Sequence, residues 1–201
     1  MSCRSVIRAL LVLSAGLAVG AARGEGDPAR GRVLAYTCMG CHGIEGYRNA
    51  YPSYRVPRLG GQKAAYLEVA LAAYKAGTRP HPTMQAQGAG LTDQDIEHLA
   101  AWFAGASAAY DDATQADVAA LDAAAVCTTC HGAAGQEVTP PAPVLSGQHE
   151  DYLVHALNQY RDGKRPGTVM AAFTASLSAA DLAAIAAFYA AQDGLITPTR
   201  D

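Results

Sequence analysis

Large side chains are scarce in this chain. Its 201 residues include three Phe and one Trp, and although half count as hydrophobic, 44 are alanine. Basic charge is scarce too: a formal net charge of −3 denies nucleic acid the electropositive footprint it needs. Five cysteines, 20 glycines and 10 prolines are too few for a disulfide scaffold, a collagen or a low-complexity chain. No apolar run reaches the roughly 18 residues that a membrane-spanning helix needs. No stretch alternates apolar and polar residues in the manner of a half-buried strand. What remains is a helical, alanine-heavy chain, long enough for one ordinary domain or two small ones, whose side chains supply little to fill a core.

The first 22 residues stand apart. Arg4 and Arg8 precede an apolar run of 14 residues over positions 9–22, which closes on the small residues Gly20, Ala21 and Ala22. That is the order of a secretory signal peptide. A membrane anchor is the alternative, disfavoured by the short run and the three Gly or Ser residues within it. Cys3 precedes the run and cannot be a lipidated cysteine at a cleavage site. The expected mature chain, residues 23–201, keeps four cysteines in an exported, oxidising compartment, where disulfides are the ordinary expectation.

The mature chain is an internal duplication. Cys38-Met39-Gly40-Cys41-His42-Gly43 recurs as Cys127-Thr128-Thr129-Cys130-His131-Gly132, 89 residues later. Pro57-Arg58-Leu59-Gly60-Gly61-Gln62 recurs as Pro143-Val144-Leu145-Ser146-Gly147-Gln148 at an offset of 86. Tyr66, Tyr74, Arg79, Met84 and Asp95 match Tyr152, Tyr160, Arg165, Met170 and Asp181 at that same offset. One loop of the first copy is therefore three residues longer. Each copy reads as helical: a short segment at 28–36 (partner 115–126), a middle helix at 63–76 (partner 149–162), and a last helix opening at Thr92 (partner Ser178). Gly77 and Gly163 follow the middle helices as C-terminal caps. Thr92 with Asp95, and Ser178 with Asp181, resemble capping boxes. Ile96, Leu99, Ala100 and Phe103 form one apolar stripe, mirrored by Leu182, Ile185, Ala186 and Tyr189. The expected fold class is all-α: a signal peptide at 1–22, a first domain at 23–106 and a second at 107–201, with a linker near 105–114.

A Cys-x-x-Cys-His string reads as a site of c-type haem attachment. Two thiols at this spacing reach the two vinyl groups on one edge of a porphyrin, and the adjacent histidine lies under the iron. A Cys₄ zinc site built from both pairs is an alternative by ligand type, but it leaves the paired histidines unexplained. A thioredoxin-like redox pair wants a βαβ context that is absent. Cys38, Cys41, Cys127 and Cys130 are thus the candidate attachment residues, with His42 and His131 as proximal ligands. For the sixth ligand the repeat discriminates among donors. His81, His98, His149 and His155 match Gly167, Ala184, Lys63 and Val69, and Met39 matches Thr128; only Met84 and Met170 match each other. They follow the proximal histidines by 42 and 39 residues, the same three-residue difference. Core packing is the ordinary use of a methionine; paired occurrence in a Pro/Gly-rich loop before the last helix favours ligation. The unpaired histidines are expected at the surface or in the core.

Taken together, the paired haem strings, the Pro-x-Leu-x-Gly-Gln segments, the Gly-x-Arg turns and the two methionines resemble class I cytochromes c. As a duplication, the chain is similar to the diheme cytochrome c4 family over nearly all of its mature length. The resemblance implies crossed N- and C-terminal helices in each domain, a haem in each core, and the carbonyls of Pro57 and Pro143 orienting the proximal rings. It further implies a periplasmic electron carrier, soluble or peripherally attached to the membrane. Its partners would be redox proteins such as a membrane-bound cytochrome complex, a terminal oxidase or a dehydrogenase. His/Met ligation leaves no open iron position and raises the reduction potential, which suits a carrier rather than a catalyst. A permanent subunit of an exported dehydrogenase or flavocytochrome is the alternative, and a diheme redox enzyme a more distant one. Charge is the remaining clue: residues 23–108 carry nine Lys or Arg against seven Asp or Glu, and residues 109–201 carry four against eleven. Arg48, Arg55 and Arg58 lie together in the longer loop of the first copy; most such charges are merely solvated, and the sharper reading is an electric dipole between the halves that steers each end to a different partner.

Overall fold

In the computed structural model, residues 26–106, 121–136, 139–165 and 169–199 are described. The expected signal peptide and most of the expected linker lie outside them. The first unit comprises α1 (Pro28–Leu34), α2 (Met39–His42), α3 (Ala64–Lys75), α4 (Pro82–Ala89) and α5 (Asp93–Gly105). A 3₁₀ helix (Asp122–Cys127) opens the second, followed by α6 (Thr128–His131), α7 (Glu150–Arg161), α8 (Val169–Thr174) and α9 (Ala179–Ala190). Among the described residues, β pairing is confined to two isolated bridges, Arg48 with Arg55 and Gly60 with Ile196.

Local chemistry sets these boundaries. Asp27 accepts from the Ala29 N–H ahead of Pro28, a proline at the first helical position where its missing N–H costs nothing. Both expected capping boxes form, on α5 and α9. Gly77 closes the end of α3 at φ 73°, and Gly163 that of α7 at φ 68°. Helix α1 packs across α5, and Gly31 permits it, because any Cβ there would run into the His98 carbonyl. The first stripe lies buried at Ile96, Leu99, Ala100 and Phe103, each at most 4 % exposed. Leu182, Ile185, Ala186 and Tyr189 are buried alike in the second unit, where α7 packs on α9 and α8.

Two expectations are corrected. The second copy's opening segment is described only from residue 121, and there it winds as a 3₁₀ helix. Leu121 has no side-chain acceptor for the free N–H groups, which the tighter turn helps to satisfy. The methionines lie on short helices, not in a loop. Pro82 starts α4, and the His81 ring accepts from the Met84 N–H, so the Pro-rich stretch that reads as a loop nucleates a helix.

The units meet along a seam with an approximate two-fold pattern. The Gln62 side chain donates to the Val144 carbonyl at 3.0 Å and accepts from the Val144 N–H at 2.9 Å. Gln148 makes the same pair of bonds to the Arg58 backbone, at 3.0 and 2.9 Å. The segment after α9 closes the seam: Ile196 and Gly60 exchange both backbone bonds at 3.0 Å, while the Leu195 N–H donates to Ser146. The arginines of the longer loop are spent here. Arg48 and Arg55 both reach Asp151 on α7, at 3.1 and 3.7 Å, and Arg58 pairs with Glu45 and donates to the Gly147 carbonyl. Arg48 and Arg55 thus have an acidic partner across the seam, while their side chains stay 47 % and 44 % exposed.

Asp151 is the acceptor common to two arginines and to the Arg55 N–H. Because both arginine side chains are more than 40 % exposed, Asp151→Asn is expected to cost only about 1 kcal/mol at low ionic strength. Thermal unfolding at low and at about 1 M salt, where screening acts within ~3 Å, should show that deficit shrink.

Candidate functional site

Each Cys-x-x-Cys-His string forms a single helical turn. The His42 N–H donates to the Cys38 carbonyl at 2.9 Å and the Met39 N–H to Ala35 at 3.0 Å. Residues three apart in a turn share a face, so Cys38 and Cys41 present their thiols together and His42 follows on the adjoining face. In the second copy Cys127, Cys130 and His131 repeat the arrangement at the junction of the 3₁₀ helix and α6. All four thiols are free and partly buried, so neither pair is joined as a disulfide. Burial pushes the Cys38 and Cys127 thiols up, the opposite of the shift expected for a reactive redox cysteine. The four do not gather into one cluster among the described residues, which leaves the Cys₄ zinc alternative without a site.

His42 and His131 are buried, 9 % and 5 % exposed. Each ring places Nδ1 against a proline carbonyl, Pro57 at 2.9 Å and Pro143 at 3.0 Å. A carbonyl oxygen can only accept, so Nδ1 carries the proton and Nε2 is left with its lone pair, the form of imidazole that binds a metal. Burial also holds His42 below its ordinary value, which keeps the ring neutral. The expectation attached to the two prolines therefore holds geometrically in both copies.

The structure brings His42, Met84, His131 and Met170 to the walls of one cavity of about 420 Å³ that extends across the seam. Cys38 and Cys41 line it as well, whereas Cys127 and Cys130 are not among its lining residues. The remaining histidines serve the framework. His98 accepts from the Asp27 N–H, joining α5 to the start of α1, and His155 stacks on Tyr54 with ring centroids 4.1 Å apart. His149 is buried at 4 % exposed.

The cavity also holds groups whose role the sequence does not announce. Arg79 donates to the Tyr66 hydroxyl at 3.3 Å and, across the seam, to the Tyr152 hydroxyl at 2.9 Å. Its guanidinium lies 4.5 Å from the Tyr74 ring centroid, and that of Arg165 lies 4.8 Å from the Tyr160 centroid. The Nε of each arginine is buried without a hydrogen-bond partner, and neither arginine has a carboxylate partner among the described residues. Buried cations demand an anion. One largely apolar cavity that holds both pinned imidazoles, both methionines, the Cys38–Cys41 thiol pair and two buried arginines without a carboxylate partner fits haem with its propionates. The repeat offset marks these arginines and tyrosines as a pair, but surface use would give the same signal.

Comparisons with known proteins bear on the family and the class of cofactor. A family model described as "Cytochrome c" matches residues 28–107, and one described as "Cytochrome C oxidase, cbb3-type, subunit III" matches residues 113–188. Cytochrome c4 of Azotobacter vinelandii is 33 % identical, covering 89 % of this chain and 94 % of its own. The thiosulfate dehydrogenase electron acceptor of Stutzerimonas stutzeri is 30 % identical over 78 % of this chain and 79 % of its own. The crystal structure of reduced cytochrome c4 from Pseudomonas stutzeri superposes with a TM-score of 0.68 at 28 % identity, over 84 % of this chain and all of that one.

If these two buried guanidinium groups face cofactor carboxylates, loss of one cation should favour the oxidised state. Arg165→Met is expected to lower one midpoint potential by about 60 mV, the equivalent of ~1.4 kcal/mol for a one-electron couple. Spectroelectrochemical titration reads it, and an unchanged pair of potentials would remove the arginine from the site.

Proposed function

The chain belongs to the cytochrome c4 family of diheme electron-transfer proteins, and from that premise we propose that it passes single electrons between redox proteins of the periplasm through two His/Met-ligated haems. Two covalently bound c-type haems are its cofactors, and what they supply is a one-electron ferric/ferrous couple at each iron. The observation that carries the ligand reading is the repeated one: an imidazole pinned through Nδ1 at 2.9 and 3.0 Å, with a methionine in the same cavity, in each copy.

The chain's own groups have distinct tasks in this reading. Cys38 and Cys41, and Cys127 and Cys130, tether the cofactors as thioethers. His42 and His131 bind through Nε2, and the Pro57 and Pro143 carbonyls fix the plane of each ring and raise its basicity. Met84 and Met170 complete the ligand set with sulfur, which raises the potential relative to harder donors and leaves no position for a substrate. Apolar helices exclude water, so little has to reorganise when charge changes. The seam residues hold the two sites in one fixed relation. Residues 1–22 act as the export signal, with domains at 23–106 and 107–201. Among the described residues no helix is long and apolar enough to cross a membrane.

A second reading has a specific observation behind it. The 30 % identical relative is by name the electron acceptor of thiosulfate dehydrogenase, so this chain could be dedicated to one exported dehydrogenase. Purification under low salt from its own cells separates the two: a free diheme chain supports the mobile carrier, and a stable stoichiometric complex supports the subunit.

Met84→Ala and Met170→Ala test the ligands. Each should remove the methionine-to-ferric-iron charge-transfer band of its own haem only, halving its intensity, and open that haem to cyanide. A band left intact by both changes would overturn the assignment.

A further inference from the structure

The first site has a link between its two sides for which the second copy has no sequence counterpart. His81 is the N-cap of α4, and its Nδ1 accepts from the Met84 N–H at 3.2 Å. Its carbonyl accepts from the next N–H, that of Gln85, at 2.9 Å. With Nδ1 accepting, a neutral ring carries its proton on Nε2. Asn49 Nδ2 stands 3.3 Å from that nitrogen; the contact becomes a hydrogen bond with the amide turned over, so that its oxygen accepts the Nε2 proton. The Asn49 backbone is held in turn, its N–H donating to Tyr54 at 2.8 Å, while the Val56 N–H donates to Tyr47 at 2.8 Å. The next residue along, Pro57, offers the carbonyl that pins His42. The Tyr74 ring meets His81 edge-on, with centroids 6.3 Å apart.

A continuous path therefore runs from the backbone of Met84 through His81 and Asn49 to the loop that orients His42. In the second copy the matching position is Gly167, which has no side chain, and the loop is shorter, with 12 residues from histidine to proline in place of 15. We propose that His81 is a positioning residue for Met84, and that together with the loop holding Asn49 it keeps Met84 from leaving the first haem. This rests on the reading of Met84 as a ligand. The physical basis is ordinary helix capping: the first turn of α4 carries Met84, and an uncapped first turn frays.

The test uses the intact holoprotein in the ferric state, with cyanide as the probe, since cyanide enters only when the methionine has left. His81→Ala removes the acceptor, and His81→Asn replaces it with a good cap. His81→Ala should raise the cyanide-binding rate at the first haem about fivefold, the size of one helix cap. His81→Asn should stay within about twofold of the unaltered protein, and the second haem, an internal control, should not change. In the ferrous protein, the ring-current-shifted methyl resonance of each bound methionine gives a second readout, with only the first moved by His81→Ala. The proposal is overturned by an unchanged first-haem rate in His81→Ala, by equal rates in the two variants, or by equal acceleration of both haems. Met84→Ala separates this from the reading beneath it. If that change leaves the first-haem band intact, the ligand assignment falls and the proposal with it; if the band is lost while His81→Ala is inert, only the positioning role falls.

Discussion

A histidine ring donating its Nδ1 proton to a proline carbonyl is the contact around which each half of the molecule is arranged. At 2.9 and 3.0 Å the two bonds are alike, although the loops that close them differ by three residues. Proline has no N–H and joins no ladder at these positions, so its carbonyl is free to accept from a side chain. The bond fixes which ring nitrogen keeps its lone pair, and thereby which face of the histidine meets the cavity. The same backbone segment then continues to Leu59 or Leu145, which packs against the local core, and to Gln62 or Gln148, which reaches the other domain. A single run of six residues thus couples the orientation of a proposed ligand to the seam between domains.

That coupling explains why the seam is built so differently from the cores. The cores are small and apolar, dominated by the stripes of α5 and α9. The seam is polar, with reciprocal glutamine–backbone bonds, an arginine–aspartate cluster and a layer of tyrosines around two buried arginines. Directional bonds set a fixed geometry where apolar contact alone would tolerate sliding. For two redox centres that exchange electrons, a fixed separation matters more than the last kcal/mol of stability.

The two halves are copies but not equals. The longer loop of the first half provides Arg48 and Arg55 for Asp151, and Asn49 for His81. The longer loop thereby serves the docking of the second domain and, in the proposed reading, the methionine side of the first site. The charge asymmetry between halves has the same structural expression. The basic loop of one meets Asp151 at the start of α7 in the other, so a small part of that asymmetry is paired where the domains touch.

Local patterns were legible without tertiary structure wherever the physics is local. The capping boxes at Thr92 and Ser178, the stops at Gly77 and Gly163 and the buried stripes of α5 and α9 follow from hydrogen-bonding groups and periodicity a few residues apart. The haem strings and the matching methionines were legible because duplication supplies an internal control for each donor. The short helix at Met84 was not, because its cap is a histidine ring rather than one of the usual Ser, Thr, Asp or Asn side chains. Nor did the sequence assign Arg79 and Arg165 to the interior, or Arg48 and Arg55 to the seam. A charged side chain reads as solvated until the fold brings a partner from some 70 to 100 residues away. By itself, then, the sequence determined the class of cofactor, its number and the candidate ligands, since covalent attachment and coordination depend on residue type at short spacing. Only the tertiary structure decided how the two sites are held against each other, because those contacts join residues whose proximity no local rule encodes.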